Sequence, residues 1–196
     1  MLKPHIHNLR GFTEAEAKKF KDAAYLMAEA VNLEEFKHRV FTVDYEDTGR
    51  FKMHGGDTNV QIYDKLMSGA DDFNWSNDGD VDIDATLYFD QGNVVGYTYS
   101  SSWRTYVNKK FFFKWPISRI AGNILHEYLH NLGYNHSSQY NDTIRWTVPY
   151  KCADILVDLA SELEAPSKNS PKPPNKKLVC TGWWCFRKCH WEYTDV

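Results

Sequence analysis

No apolar run in the sequence approaches the ~18 residues that a membrane-spanning helix requires, and the mean hydropathy is −0.59, so a transmembrane segment is excluded. Positive charge is in deficit: 23 lysines and arginines stand against 26 aspartates and glutamates, for a net charge of −3. Without a basic surplus the chain has little means of displacing phosphate counterions, so nucleic acid is not expected as a partner. Cysteine is scarce. Of four, only Cys152 precedes residue 178. Methionine is equally sparse, and none follows Met67. The opening residues, Met1 to His7, lack the apolar stretch of a signal peptide; the protein is expected either to stay inside the cell or to begin after a removed leader.

What is present suffices for a folded domain. Of 196 residues, 42% are hydrophobic and 15% aromatic, enough for one core with a short appendage. Residues 1–165 alternate helical and strand patterns and read as the main domain. Residues 166–177, rich in proline and lysine, carry no large apolar side chain and read as an extended linker. Residues 178–196 form a tail holding Cys180, Cys185 and Cys189 with Trp183, Trp184 and Trp191.

Within the main domain, Thr13-Glu14-Ala15-Glu16 is a capping box. Phe20, Ala23, Ala24, Met27, Ala30 and Val31 follow at helical spacing. A strand is expected at 39–43 and a short helix at 60–67. Strand-like runs rich in β-branched and aromatic residues follow at 81–89, 94–99 and 104–112. A helix opens near Pro116 or Ser118 and reaches about Leu132, where Gly133 stops it, and a last helix covers 151–164. This order predicts an α/β (α+β) domain built in layers around a mixed sheet.

The decisive stretch is His126-Glu127-Tyr128-Leu129-His130-Asn131-Leu132-Gly133-Tyr134-Asn135-His136. His126 and His130, four residues apart on a helix, project from one face and can reach one zinc ion. Glu127 stands beside them, placed to hold a water without ligating the metal. In a straight helix His136 would lie ~15 Å beyond His126. Gly133 resolves this, because glycine takes the left-handed conformation that ends a helix and lets the chain turn back. Five such fixed positions match by accident with a probability on the order of 10⁻⁵ to 10⁻⁴. Three neutral imidazoles leave an ion one open position, the arrangement of a catalytic site.

On these residues the chain resembles the metzincin clan of zinc metallopeptidases, whose signature is HExxHxxGxxH. The letters match at 126–136, with a weaker counterpart near 150 and a pattern similarity over 81–165. The resemblance implies a twisted mixed sheet, an active-site helix and a C-terminal helix. It implies one catalytic Zn2+ on His126, His130 and His136, with Glu127 as general base. Substrate, a peptide or protein, would lie extended along an edge strand, here Val94, Val95, Gly96, Tyr97, Thr98 and Tyr99. Metzincins also carry a methionine in a turn beneath the metal, typically Met-x-Tyr, and this chain has none there. The counterpart is Thr147-Val148-Pro149-Tyr150, with Val148 as apolar floor and Pro149 fixing the turn. Tyr150 matches the tyrosine that in some metzincins ligates zinc and stabilises the transition state. Ser137-Ser138 after the last histidine looks most like the matrix-metalloprotease branch. The segment 137–148 is expected to wall the pocket beyond the scissile bond, with Ile144 or Trp146 lining it.

Other signals are weaker. Residues 74–82 resemble part of a calcium loop but begin with Asn74 and place Ala85 at the twelfth position, so an acidic turn is the first reading and Ca2+ the second. His5 and His7 alternate and read as solvated surface residues. Cys189 and His190 are adjacent, which suits no common zinc-finger spacing; disulfides, with Cys152 as a possible fourth partner, are expected instead. Bridges would place the protein in an oxidising compartment, secreted or extracellular; reduced thiols would leave the cytoplasm open. The leading expectation is a monomeric zinc-dependent endopeptidase. The alternatives are a catalytically silent binding protein acting through its aromatic tail, and a zinc amidase on cell-wall peptides. Occlusion of the cleft by residues 166–196 is a further possibility.

Overall fold

Thr13 opens the first helix. Its hydroxyl accepts from the Glu16 amide while the Glu16 carboxylate accepts from the Thr13 amide, the reciprocal cap announced by the sequence. Helix α1 (Glu14–Val31) then buries Phe20, Ala23, Ala24, Met27, Ala30 and Val31 completely. The computed structural model describes residues 1–69, 78–99, 102–137, 141–165, 175–181 and 188–194. Two compact units are distinguished, Met1–Glu164 and Ala165–Val196.

The first unit is a mixed α/β domain. Strand β1 (Lys3–Arg10) precedes α1, and the short helices α2 (Glu34–Phe41) and α3 (Asn59–Met67) follow it. Strands β2 (Asp80–Tyr88), β3 (Gly96–Tyr99) and β4 (Ser102–Asn108) come next, then α4 (Lys109–Phe112), α5 (Ile117–Asn131) and, after a 3₁₀ turn at Ile144–Trp146, α6 (Val148–Glu164). The sheet order is β1-β2-β4-β3; β1, β2 and β4 run parallel, and β3 lies antiparallel on the edge beside β4. Alternate residues of β2, Val81, Ile83, Ala85 and Leu87, join the buried faces of α1, α5 and α6 in one core. No helix among the described residues is long and apolar enough to cross a membrane.

Several boundaries differ from expectation. Residues 39–43 are not a strand: Arg39 to Phe41 end α2, where Phe36 and Val40 are buried one turn apart and Arg39 Nε binds Glu35 Oε1 at 2.7 Å. The run 104–112 is extended only to Asn108. That buried side chain accepts from the Lys110 amide and donates to the carbonyls of Asp90 and Val94, ending the strand and starting α4. Val94 and Val95 precede β3 rather than belong to it. Helix α6 begins at Val148 instead of 151, because a proline in a first helical turn forfeits no hydrogen bond. Val148-Pro149-Tyr150 is therefore the first turn of a helix and not a separate tight turn. Strand β1 carries no signal that the sequence patterns above detect.

Cys152 is a free, fully buried thiol on the apolar stripe of α6 with Val148, Ile155, Leu156 and Leu159, so it is no disulfide partner. Of the calcium-like stretch 74–82, residues 74–77 lie outside the described residues, and Asp78 Oδ1 accepts from the Asp80 amide at the entry to β2.

The second unit contains β5 (Asn175–Thr181) paired antiparallel with β6 (Lys188–Thr194), in a register that sets Cys180 opposite Cys189. Lys176 and Lys177, read as linker, belong to β5; residues 166–174 and Cys185 lie outside the described residues.

Candidate metal centre

Helix α5 ends in a way that its sequence dictates. Gly133 takes φ +93°, the Gly133 amide donates to the His130 carbonyl at 2.9 Å, and the Tyr134 amide donates to Leu129 at 3.1 Å. This pair of bonds is the Schellman ending, and the two residues whose backbones close it, Leu129 and Tyr134, are both buried in the core. The chain then reverses toward the helix, and His136 returns to the two histidines it has passed.

The result is a triangle. The Nε2 atoms of His126, His130 and His136 stand 3.2 Å apart on every side. A tetrahedral ion with ~2.05 Å bonds spaces its donors about 3.3 Å apart, so the spacing fits one such ion. The far nitrogens explain the orientation. His130 Nδ1 lies 2.7 Å from the Tyr134 carbonyl and His136 Nδ1 2.9 Å from that of Ser137, while His126 bonds the carbonyl of Pro149. Carbonyls only accept, so each ring carries a proton on its outer nitrogen, and in a neutral imidazole the inner Nε2 is then the lone-pair atom that can face a metal. A cation relieves the convergence of three such atoms. Burial, joined by the neighbouring imidazoles, lowers His126 to about 3 and also lowers His130, keeping both in the neutral form that binds a metal.

Glu127 is 3% exposed; its Oε1 faces Asn123 Nδ2 at 3.4 Å and its Oε2 has no hydrogen-bond partner. Desolvation pushes this carboxyl up to about 8, with the Asn123 bond opposing the rise. A buried carboxyl group with an unused oxygen is costly in either protonation state, and such a cost is retained where a missing partner completes the site. The donor set and the orphaned oxygen both fit a bound divalent ion with a water beside it.

The Tyr150 ring packs against His126 and His136, with centroids 4.6 and 4.7 Å away. Val148 is fully buried in the core, and Pro149 contributes its carbonyl to His126 rather than a turn. Strand β3 approaches α5 closely. A side chain at Gly96 would meet the Tyr106 carbonyl at 2.9 Å and Asn123 Oδ1 at 3.0 Å, and Thr98 Oγ1 reaches Asn131 Oδ1 at 3.1 Å. Tyr97 stacks on Tyr106 at 4.7 Å, Tyr99 is exposed, and Val94 and Val95 lie just upstream. Ile144 is buried; Trp146 packs against Tyr45 with the Lys151 ammonium over its ring.

Asn123 and the three carbonyls are site residues that the motif does not reveal. Asn123 was findable, since it precedes Glu127 by four residues on the same helix face. The carbonyls carry no sequence signal. No protein-family model matches the chain, and neither does any curated protein or any solved structure.

Proposed function

We propose that the chain is a zinc-dependent endopeptidase that hydrolyses peptide bonds of extended polypeptides, as the resemblance of its histidine motif to the metzincin clan implies. The observation that carries the reading is the convergence of three imidazole Nε2 atoms beside the buried, partnerless oxygen of Glu127. Zinc on these imidazoles would polarise a peptide carbonyl and make water a nucleophile near neutral pH. Glu127 takes a proton from the attacking water as its oxygen adds to the carbonyl carbon, then delivers that proton to the amine as the C–N bond breaks. Asn123 orients the carboxylate through Oε1, leaving Oε2 for the water. Tyr150 donates to the oxyanion that develops. Strand β3, the last strand of the sheet among the described residues, would pair with substrate backbone from Gly96 to Tyr99, which suits an extended substrate of broad sequence.

Mass-spectrometric cleavage profiling on a diverse peptide library, comparing zinc-loaded wild type with Glu127→Ala, tests the reading. Cuts made by the wild type alone are expected. Cuts made equally by both, or by neither even after residues 166–196 are removed, would overturn it.

A further inference from the structure

A second group of metal-binding side chains lies at the other end of the sheet, remote in topology from the edge strand β3. Strands β1 and β2 pair in parallel, with His5 opposite Asp82 and Ile6 opposite Ile83, but the next pairing is Asn8 with Asp84. His7 is thus an extra residue in a β-bulge, and a bulge re-aims the side chain it carries. Its imidazole turns to the carboxylate that His5 already faces. His7 Nε2 lies 2.5 Å and His5 Nδ1 3.3 Å from the same oxygen, Asp82 Oδ1, and the two rings stand 4.2 Å apart.

The carboxylates of β2 divide the neighbouring cations. Asp84 takes Arg10 at 3.4 Å and Arg104 at 3.2 Å, whereas Asp82, 7% exposed, faces the two imidazoles. All three donor atoms lie within 4.8 Å of one another. Two imidazoles and one carboxylate suit a borderline-soft divalent ion, and they offer too few oxygens for calcium or magnesium.

We propose that His5, His7 and Asp82 form a second metal site, for a divalent ion of the zinc class, which ties the first strand to the sheet. His5 and Asp82 already stand at the spacing of ligands to one ion; His7 makes a direct hydrogen bond, and the ion replaces it. The gain falls on an interrupted edge strand. Among the described residues strand β1 lies at the sheet edge, pairs with β2, and is interrupted by its own bulge. His5 is exposed, so the site opens to solvent on that side.

The test is zinc stoichiometry of the tag-free full chain by native mass spectrometry and chelator competition, a readout independent of cleavage. Wild type is expected to bind two equivalents. His5→Ala/His7→Ala and His130→Ala/His136→Ala are each expected to bind one, and the combined variant none. In the His130→Ala/His136→Ala protein, zinc is expected to raise Tm, by mass action on the folded state. That rise should vanish once His5 and His7 are also replaced. His5→Ala alone, at a side chain exposed enough to spare folding, should weaken the second equivalent by about tenfold or more. One equivalent in the wild type, or a second that survives loss of His5 and His7, overturns the site while leaving the peptidase reading untouched.

Discussion

Two histidine groups in one domain are assembled by different means. The helix group spans His126 to His136, eleven consecutive residues, and its geometry comes from one helix, one glycine and the reversal between them. The strand group joins His5 and His7 to Asp82, 75 residues beyond His7, and exists only because two parallel strands pair with a bulge. Helix spacing is a short-range property, fixed by the backbone period wherever a helix forms. Parallel pairing has no local rule, since its partners are brought together by the whole fold. The helix group is accordingly visible as a motif, while the strand group reads in sequence as two polar residues on a surface.

The sharpest way to break the comparison is to ask whether only the helix group carries chemistry. Glu127→Gln in the zinc-loaded protein should lower cleavage by about 10²–10⁴-fold, and chelation should abolish it. His7→Ala should leave kcat/KM within about twofold under saturating zinc, because truncating a side chain that meets neither substrate nor the reacting water removes no transition-state interaction. Equal losses from both changes, read by fluorogenic peptide turnover, would erase the functional distinction.

Tyr150→Phe should reduce kcat by about 10²-fold with little change in KM, as expected for a donor engaged only in the transition state. A change confined to KM would reassign Tyr150 to substrate binding. Stability provides the next scale. In the metal-free protein at pH 7, Glu127→Gln should stabilise by roughly 1–3 kcal/mol, since burial raises this carboxyl to about 8 and folding at that pH must protonate a group that ionises in the unfolded chain. Urea denaturation measures it; a loss of stability would mean that Asn123 holds the carboxylate more strongly than the 3.4 Å contact suggests.

The smallest effect tests the device that sets the helix group apart. Gly133→Ala should cost about 1 kcal/mol, because a Cβ at φ +93° is strained even though no atom lies near it. Zinc affinity should fall with it, as His136 depends on the same turn. An unchanged affinity would show that His136 is positioned by its Ser137 contact instead.

The first helix, the histidine-bearing helix and its termination were legible because the capping box at Thr13 and Glu16, the periodic apolar face and Gly133 act over a few residues. The strand expected at 39–43 failed because β-branched Val40 and Thr42 mimic alternation, while Phe36 and Val40 bury one turn apart. The start of α6 failed because Val148-Pro149 suits a turn and a first helical turn equally well. Cys152 looked available for a bridge until packing enclosed it.

By itself the sequence determined the mixed α/β character, the three imidazoles on one helix end and the carboxylate beside them, all properties of spacing along a backbone of fixed period. Only the tertiary structure decided that the Pro149 carbonyl from α6 would orient His126, that Gly96 would press β3 onto Asn123, and that Asp82 would meet His5 and His7. Those contacts join residues far apart in the chain, and burial in a shared core selects them, which no local pattern encodes.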